Sequence, residues 1–292
     1  MRIEKIFLEN YYGIRNKEIL FNQKDGSDFH VIVLEDNSNY NPLMNAFYWC
    51  LFGKDYLPDR YLSKSEGEQK VELLINLGIN NKFLITRKKN NTRKKNNQED
   101  NIQITNYNSQ GIPKILNKDD SILFLKDCLT NYYSELFFLD EDNLNRFSQK
   151  NYSKEVLCCL KNKVKLDNKE LNTIIEQKAN SYLARFPPTM RKIGKIKIGN
   201  TDNITVEDRF SDYDSFSSLS EDDKNAVILS FVLAALELLE DKQFLIISTQ
   251  NYLTRPFGHE IFEFIKSMKT RPSRNQIIYL PTAMELVDLK RI

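Results

Sequence analysis

The chain has 292 residues, with 42 Lys+Arg against 40 Asp+Glu and a formal net charge of +2, so neither a basic nucleic-acid tail nor an acidic solvating domain dominates it. Hydrophobic residues are 41% and charged residues 28% of the total, a soluble-globular composition without an apolar run near the ~18 residues of a membrane span. Glycine is scarce, nine in 292, about 3% against a usual ~7%, which limits sites built on bare backbone amides; the only two histidines, His30 and His259, exclude a multi-histidine metal centre.

The chain opens on alternating apolar residues, Ile3, Ile6 and Leu8, then Ile19 to Phe21 after Tyr12–Gly13, which predicts two strands about a turn. Residues 29–34, FHVIVL, predict a short buried strand. The polar stretch EDNSNYNP follows, then LMNAFYWCLF, whose apolar positions 43, 44, 46, 47, 50 and 51 have helical spacing, with Asn41 as cap and Pro42 in the first turn. KVELLINLGI, KFLITRKK and NIQITNY predict three strands between 70 and 107, with the basic loop KKNNTRKKNNQED between the last two. Residues 119–130 predict a helix, and ELFFLDEDNL a strand running into an acidic turn. Residues 151–185 predict helix up to Pro187–Pro188, KIKIGNTDNITVEDRF a hairpin, and DYDSFSSLS a loop. The 222–240 stretch, rich in AVILSFVLAALELL, predicts a helix buried on most faces. FLIIS at 244–248 and QIIYL at 276–280 predict buried strands, with a helix over GHEIFEFIKSM between them.

Four cysteines, Cys50, Cys128, Cys158 and Cys159, form no CxxC pair; Cys50 lies in an apolar run, and free thiols fit a reducing cytoplasm. The N-terminus MRIEKIFLEN reads as a charged strand rather than a secretory signal.

The order of these elements resembles the heads of SMC-like and RecF-like ABC ATPases, closest to the DndD type. RIEKIFLENYYGI is similar to that family's opening strand. LEDNSNYNPLMNAFYWCLFG aligns without a gap on its phosphate loop and following helix, matching at Ala46, Trp49, Leu51, Phe52 and Gly53. SELFFLDEDNL resembles its FFFDGExI segment, and SSLSEDDKNAVILSFVLAALELL its signature. QFLIISTQNYL falls on its Walker B strand. The resemblance implies an α/β head: a mixed β lobe at 1–150, a short helical bridge at 151–186 in place of the long coiled coil, and an α/β lobe at 187–292.

What the resemblance implies for nucleotide chemistry is missing from the residues. Phosphate loops need glycine for close backbone approach, a lysine on the β/γ-phosphates and a hydroxyl on Mg²⁺. Their remnant positions here are Leu34, Asn37, Asn39, Tyr40 and Asn41. Ile247 is followed by Ser248 and Thr249 where Walker B has acids. Ser220 persists in the signature, but Glu221, Asp222 and Asp223 follow it: Ser220 caps the helix, Asp223 completes a box, and carboxylates there repel a phosphate. No catalytic residue, metal site or cofactor is therefore expected, and the chain reads as a pseudo-ATPase. The alternative is a divergent ATPase that binds or hydrolyses Mg-ATP together with a partner subunit.

The basic run Arg87, Lys88, Lys89, Arg93, Lys94 and Lys95 supplies candidate contacts to duplex DNA, against a solvated loop followed by Glu99 and Asp100. The acids Asp140, Glu141 and Asp142 read as a solvated turn, and Trp49 as core. The resemblance implies protein partners, an active SMC-like ATPase or a nuclease, docked on the head face, helix 222–240 and the basic hairpin, in a DNA-repair, modification or antiphage-defence complex in the cytoplasm, away from membranes.

Overall fold

The computed structural model describes residues 1–22, 28–32, 42–53, 67–78, 81–91, 100–107, 112–128, 137–140, 143, 152–164, 166–186, 193–199, 203–208, 213–239, 243–248, 264, 267 and 275–281. It divides into two compact units, Met1–Asp25 with Tyr40–Ser134, and Gly26–Asn39 with Glu135–Ile292.

The first unit is a six-stranded antiparallel sheet of order β2-β1-β4-β5-β6-β7. Its strands are β1 (Arg2–Tyr11), β2 (Ile14–Leu20), β4 (Gly67–Asn76), β5 (Lys82–Asn91), β6 (Asp100–Tyr107) and β7 (Pro113–Leu116). Tyr12 (φ 51) and Gly13 (φ 80) close the β1–β2 hairpin, the positive-φ pair of a two-residue primed turn. One face of the sheet carries the rows Ile6–Leu73–Ile85–Ile104 and Ile3–Ile75–Phe83. All of these are buried, as the period of two requires. Helix α1 (Pro42–Phe52) packs on that face against β1, β4 and β5. It is buried from Pro42 to Leu51, so it behaves as a core helix, apolar all round, and its large side chains contribute about 1.5–3 kcal/mol each. Pro42 occupies its first position as expected; the cap expected at Asn41 lies outside the described residues. Helix α2 (Lys118–Cys128) closes the far end through Phe124, whose ring lies 4.3 Å from that of Phe83 with the planes tilted by 36°.

The second unit holds a parallel sheet of order β3-β13-β12-β8, built from β3 (Phe29–Val31), β8 (Phe138–Leu139), β12 (Phe244–Ser248) and β13 (Gln276–Leu280). β12 and β13 are buried throughout. β3 corrects the expectation of a buried strand: among the described residues it is the sheet edge, paired with β13 alone, and Val31 is 36% exposed. Helices α3 (Tyr152–Val164) and α4 (Asn168–Leu183) occupy the segment expected to be helical. α4 starts on an Asp167 cap that accepts the Glu170 N–H at 2.8 Å, and it packs on helix α5 (Glu221–Leu238). Among the described residues, no helix is long and apolar enough to cross a membrane.

A three-stranded sheet, β11-β10-β9, contains the expected hairpin of β9 (Ile193–Ile198) and β10 (Ile204–Asp208). The segment expected as loop adds a strand, β11 (Tyr213–Ser215), and a 3-10 turn at Phe216–Ser218. Helix α4 closes the other side of β9. The Asn180 side chain accepts the Ile196 N–H at 2.7 Å and donates to the Ile196 carbonyl at 2.8 Å, and Glu176 accepts the Ile198 N–H at 3.1 Å. A helix side chain here satisfies an edge strand as a neighbouring strand would.

Candidate nucleotide site and basic hairpin

In an open parallel sheet, ligands bind beyond the carboxyl ends of the strands. Those ends bring together Ile32 after β3, Asp140 after β8, Ser248 at the end of β12 and Pro281 after β13. The remnant phosphate-loop positions Leu34, Asn37, Asn39, Tyr40 and Asn41 follow Ile32 in the chain and lie outside the described residues, as does Thr249. Ser248 is buried, directly after the buried Ile246 and Ile247, so the described end of β12 presents a hydroxyl and no carboxylate. The nearby acid is Asp140. Its Oδ1 accepts the Asn143 N–H at 2.9 Å, and the Asn143 amide donates to the Phe138 carbonyl at 3.0 Å, so this carboxylate closes a turn after β8. Glu141 and Asp142 lie outside the described residues. Among the described residues, no group of three or more His, Cys, Asp or Glu side chains gathers to hold a metal ion.

In the segment expected to match the signature, Ser220 is the N-cap of α5, with extended backbone (φ −60, ψ 156). Its Oγ accepts the Asp223 N–H at 3.3 Å and donates to Asp223 Oδ2 at 2.6 Å. Asp223 is buried, so a carboxylate occupies the positive end of the helix dipole. Beyond it, Asn225 to Leu236 are all buried. This corrects the expectation that helix 222–240 offers a docking face: an apolar helix of this kind is consumed by the core.

In the basic hairpin, β5 alternates between two faces. Phe83, Ile85, Arg87 and Lys89 point inward under α1 and are buried; Leu84, Thr86 and Lys88 point outward. Arg87 is 7% exposed. Its Nε donates to the Cys50 carbonyl at 3.2 Å, and its guanidinium pairs with Asp100 Oδ2 at 3.0 Å. The Cys50 carbonyl is one that α1 leaves open at its C-terminus. Gly53, in the left-handed region at φ +81, sends its N–H back to the Trp49 carbonyl at 3.0 Å, an αL cap. The cation completes that cap and opposes the negative helix end. Gly53 also gives the guanidinium room: a Cβ there would sit 3.1 Å from Arg87 NH1. Arg87 thus serves the interior, and Lys89 shares its buried face.

The outward face is balanced by acids. Lys88 pairs with Glu68 at 3.1 Å, Lys82 with Glu4 at 2.7 Å, Lys5 with Glu18 at 3.1 Å, and Lys70 with Glu9 at 2.9 Å and Glu72 at 3.6 Å. The hydrogen bond to Glu9 holds the Lys70 ammonium above its usual range, against the opposing effect of burial. Arg93, Lys94 and Lys95 lie outside the described residues. Among the described candidates, only Lys88 reaches the outer face. The inward turn of Arg87 had a signal in the sequence, since it continues the period-two series of Phe83 and Ile85; its partner Asp100 became visible only through strand register.

No sequence-family model matches the chain, and no curated protein sequence matches it. Solved structures do. The chain is similar to an SMC head domain from Thermotoga maritima at 15% identity and TM-score 0.55, covering 99% of this chain and 92% of that one. It is similar to an Smc head bound to the C-winged helix domain of ScpA at 12% identity and TM-score 0.66, with 97% and 90% covered. It is also similar to an Smc head domain with an extended coiled coil, bound to the C-terminal domain of ScpA derived from Pyrococcus furiosus, at 11% identity and TM-score 0.60, with 98% and 91% covered. At these identities the likeness establishes the fold: the chain has the fold of an SMC head domain.

Proposed function

We propose that this chain is a catalytically inactive ABC-ATPase-like subunit, a pseudo-ATPase, that docks protein partners and duplex DNA in a bacterial DNA-repair, DNA-modification or antiphage-defence complex. The observation that carries the reading is the signature helix end. A phosphate brought to Ser220 meets a hydroxyl whose proton already serves Asp223, and a carboxylate that repels it by ~1 kcal/mol or more. The other motif positions implied by the resemblance support the reading: it aligns Tyr40 and Asn41 with the lysine and Mg²⁺ hydroxyl of a phosphate loop, and Ser248 and Thr249 with acids that would hold metal and orient water.

Docking of a protein rests on fold-level analogy with heads that bind a ScpA domain, and on apolar side chains at one edge of the first unit. Ile115 on the edge strand β7 is 63% exposed and Leu123 on α2 57%, and large apolar side chains left in water are candidate contacts for a partner. The expected partner is an active SMC-like ATPase or a nuclease. Contact with DNA falls to Lys88, Arg93, Lys94 and Lys95, because Arg87 is committed to Asp100 and α1. Free thiols at Cys50 and Cys158 fit a reducing cytoplasm.

A phosphate-release assay tests the reading. The chain at tens of micromolar, given millimolar Mg-ATP, is expected to release phosphate at the buffer rate. Mg²⁺-dependent turnover that disappears in Ser220→Ala would overturn it and favour the divergent ATPase.

A further inference from the structure

The six-stranded sheet of the first unit has a second face, opposite α1. A sheet of this kind keeps polar side chains on its water-facing side, and the rows around Glu72 and Lys70 obey, with Glu18, Thr86 and Gln103 in the one and Glu9, Lys88 and Asn101 in the other. One row does not. Register places Leu20, Lys5, Leu74, Leu84, Thr105 and Ile115 side by side across all six strands, from the β2 edge to the β7 edge. Leu20 is 56% and Ile115 63% exposed, and Leu74 and Leu84 are half-buried. Lys5, the one charge in the row, is tied to Glu18 at 3.1 Å.

The row is symmetric in character about the line between β4 and β5: Leu74 answers Leu84, Lys5 answers Thr105, and Leu20 answers Ile115. A two-fold axis laid along that line brings a second copy face to face, with each of these residues over its counterpart. The strands of the two copies then share one mean direction, the aligned packing of sandwiches. Lys5 meets the Thr105 hydroxyl of the copy rather than another cation. The same operation sets Glu72 over Thr86, Phe7 over Gln103 and Asn76 over Lys82, so no like charges oppose each other in the central row or in the rows on either side of it. Strands ~4.8 Å apart and outward rows ~6.8 Å apart give roughly 600 Å² on each copy over three rows, ~1,200 Å² in total, the lower bound of specific interfaces. An apolar centre inside a polar rim is the make-up of such an interface. A helix of ~10 Å diameter laid along the strands would cover two or three members of the row and leave both ends in water. We infer that this face pairs with itself, making a two-fold sandwich of two copies of the chain. The pairing uses none of the nucleotide motifs.

Sedimentation equilibrium of the whole chain from micromolar to tens of micromolar is expected to show a reversible dimer, with the modest affinity of a small interface. Leu84→Arg sets a cation on Leu74 of the copy and is expected to weaken the dimer roughly tenfold or more. Ile115→Arg, at a position 63% exposed, is expected to weaken it without touching the core, and it carries the test should Leu84→Arg fail to fold. Cross-linking reads the register. In a Cys158→Ser background, a mixture of Leu20→Cys and Ile115→Cys chains is expected to join through a short bismaleimide. Neither variant alone is expected to do so, because identical positions then lie at opposite edges of the sandwich. A chain that stays monomeric throughout, a dimer that a folded Leu84→Arg or Ile115→Arg leaves unchanged, or single variants that cross-link as well as the mixture would overturn the inference.

Discussion

Arg87 and Lys88 are neighbours in the chain and opposites in energetics. The Arg87–Asp100 pair has side chains only 9% and 12% exposed, and removing one member leaves a buried charge, which costs roughly 3–5 kcal/mol. Lys88–Glu68 is exposed on both sides, 44% and 55%, where such pairs contribute little. Arg87→Met is therefore expected to lower stability in denaturant titrations by several kcal/mol, and Lys88→Ala by less than about 0.5 kcal/mol. Equal effects would show that Arg87 does not hold the end of α1. Cys50 gives a second residue-scale prediction. Burial pushes its thiol up to about 12 from an ordinary 9.0, and the Arg87 charge only partly offsets this. The unfolded chain then loses that proton near its ordinary value while the folded chain keeps it, so stability is present below pH 9 and falls as pH rises toward 12. In native alkylation at pH 8, exposed Cys158 is expected to react and Cys50 to stay protected until the chain unfolds. Cys50→Ala is expected to flatten the alkaline fall.

At the scale of elements, local rules and long-range rules divide the outcome. The Ser220–Asp223 box was legible because it is an i,i+3 pattern before an apolar run, and α5 follows it as expected. Ser220→Ala removes that cap, and a loss of about 0.5–2 kcal/mol in thermal unfolding is expected. The edge status of β3, by contrast, depends on pairing with β13 some 250 residues later, which no local window contains. β7 and β11 escaped for a related reason: PKIL begins on a proline and YDS has no β-branched residue, so each is a strand only because β6 or β10 lies beside it. The α4–β9 contact was invisible too, since nothing in sequence marks Asn180 as a substitute for a strand. Asn180→Ala strips both Ile196 backbone groups of a partner, and a loss of about 2–3 kcal/mol is expected; a change below 0.5 kcal/mol would mean that water replaces the amide without cost.

At the scale of the molecule, the two compact units interleave along the chain: residues 26–39 belong with the C-terminal half. The strand expected to lead into a phosphate loop is thereby carried into the sheet that ends in Ser248. The scarcity of glycine met at the outset takes its meaning here. None of the nine lies between Leu34 and Phe52 or between Ser217 and Asp223, the two stretches that the resemblance aligns with backbone around phosphate. The proposed absence of nucleotide chemistry from this head is tested most sharply by titration calorimetry of the purified chain with Mg-ATP. No heat of binding is expected up to millimolar nucleotide; a Mg²⁺-dependent isotherm with micromolar Kd would overturn the proposal.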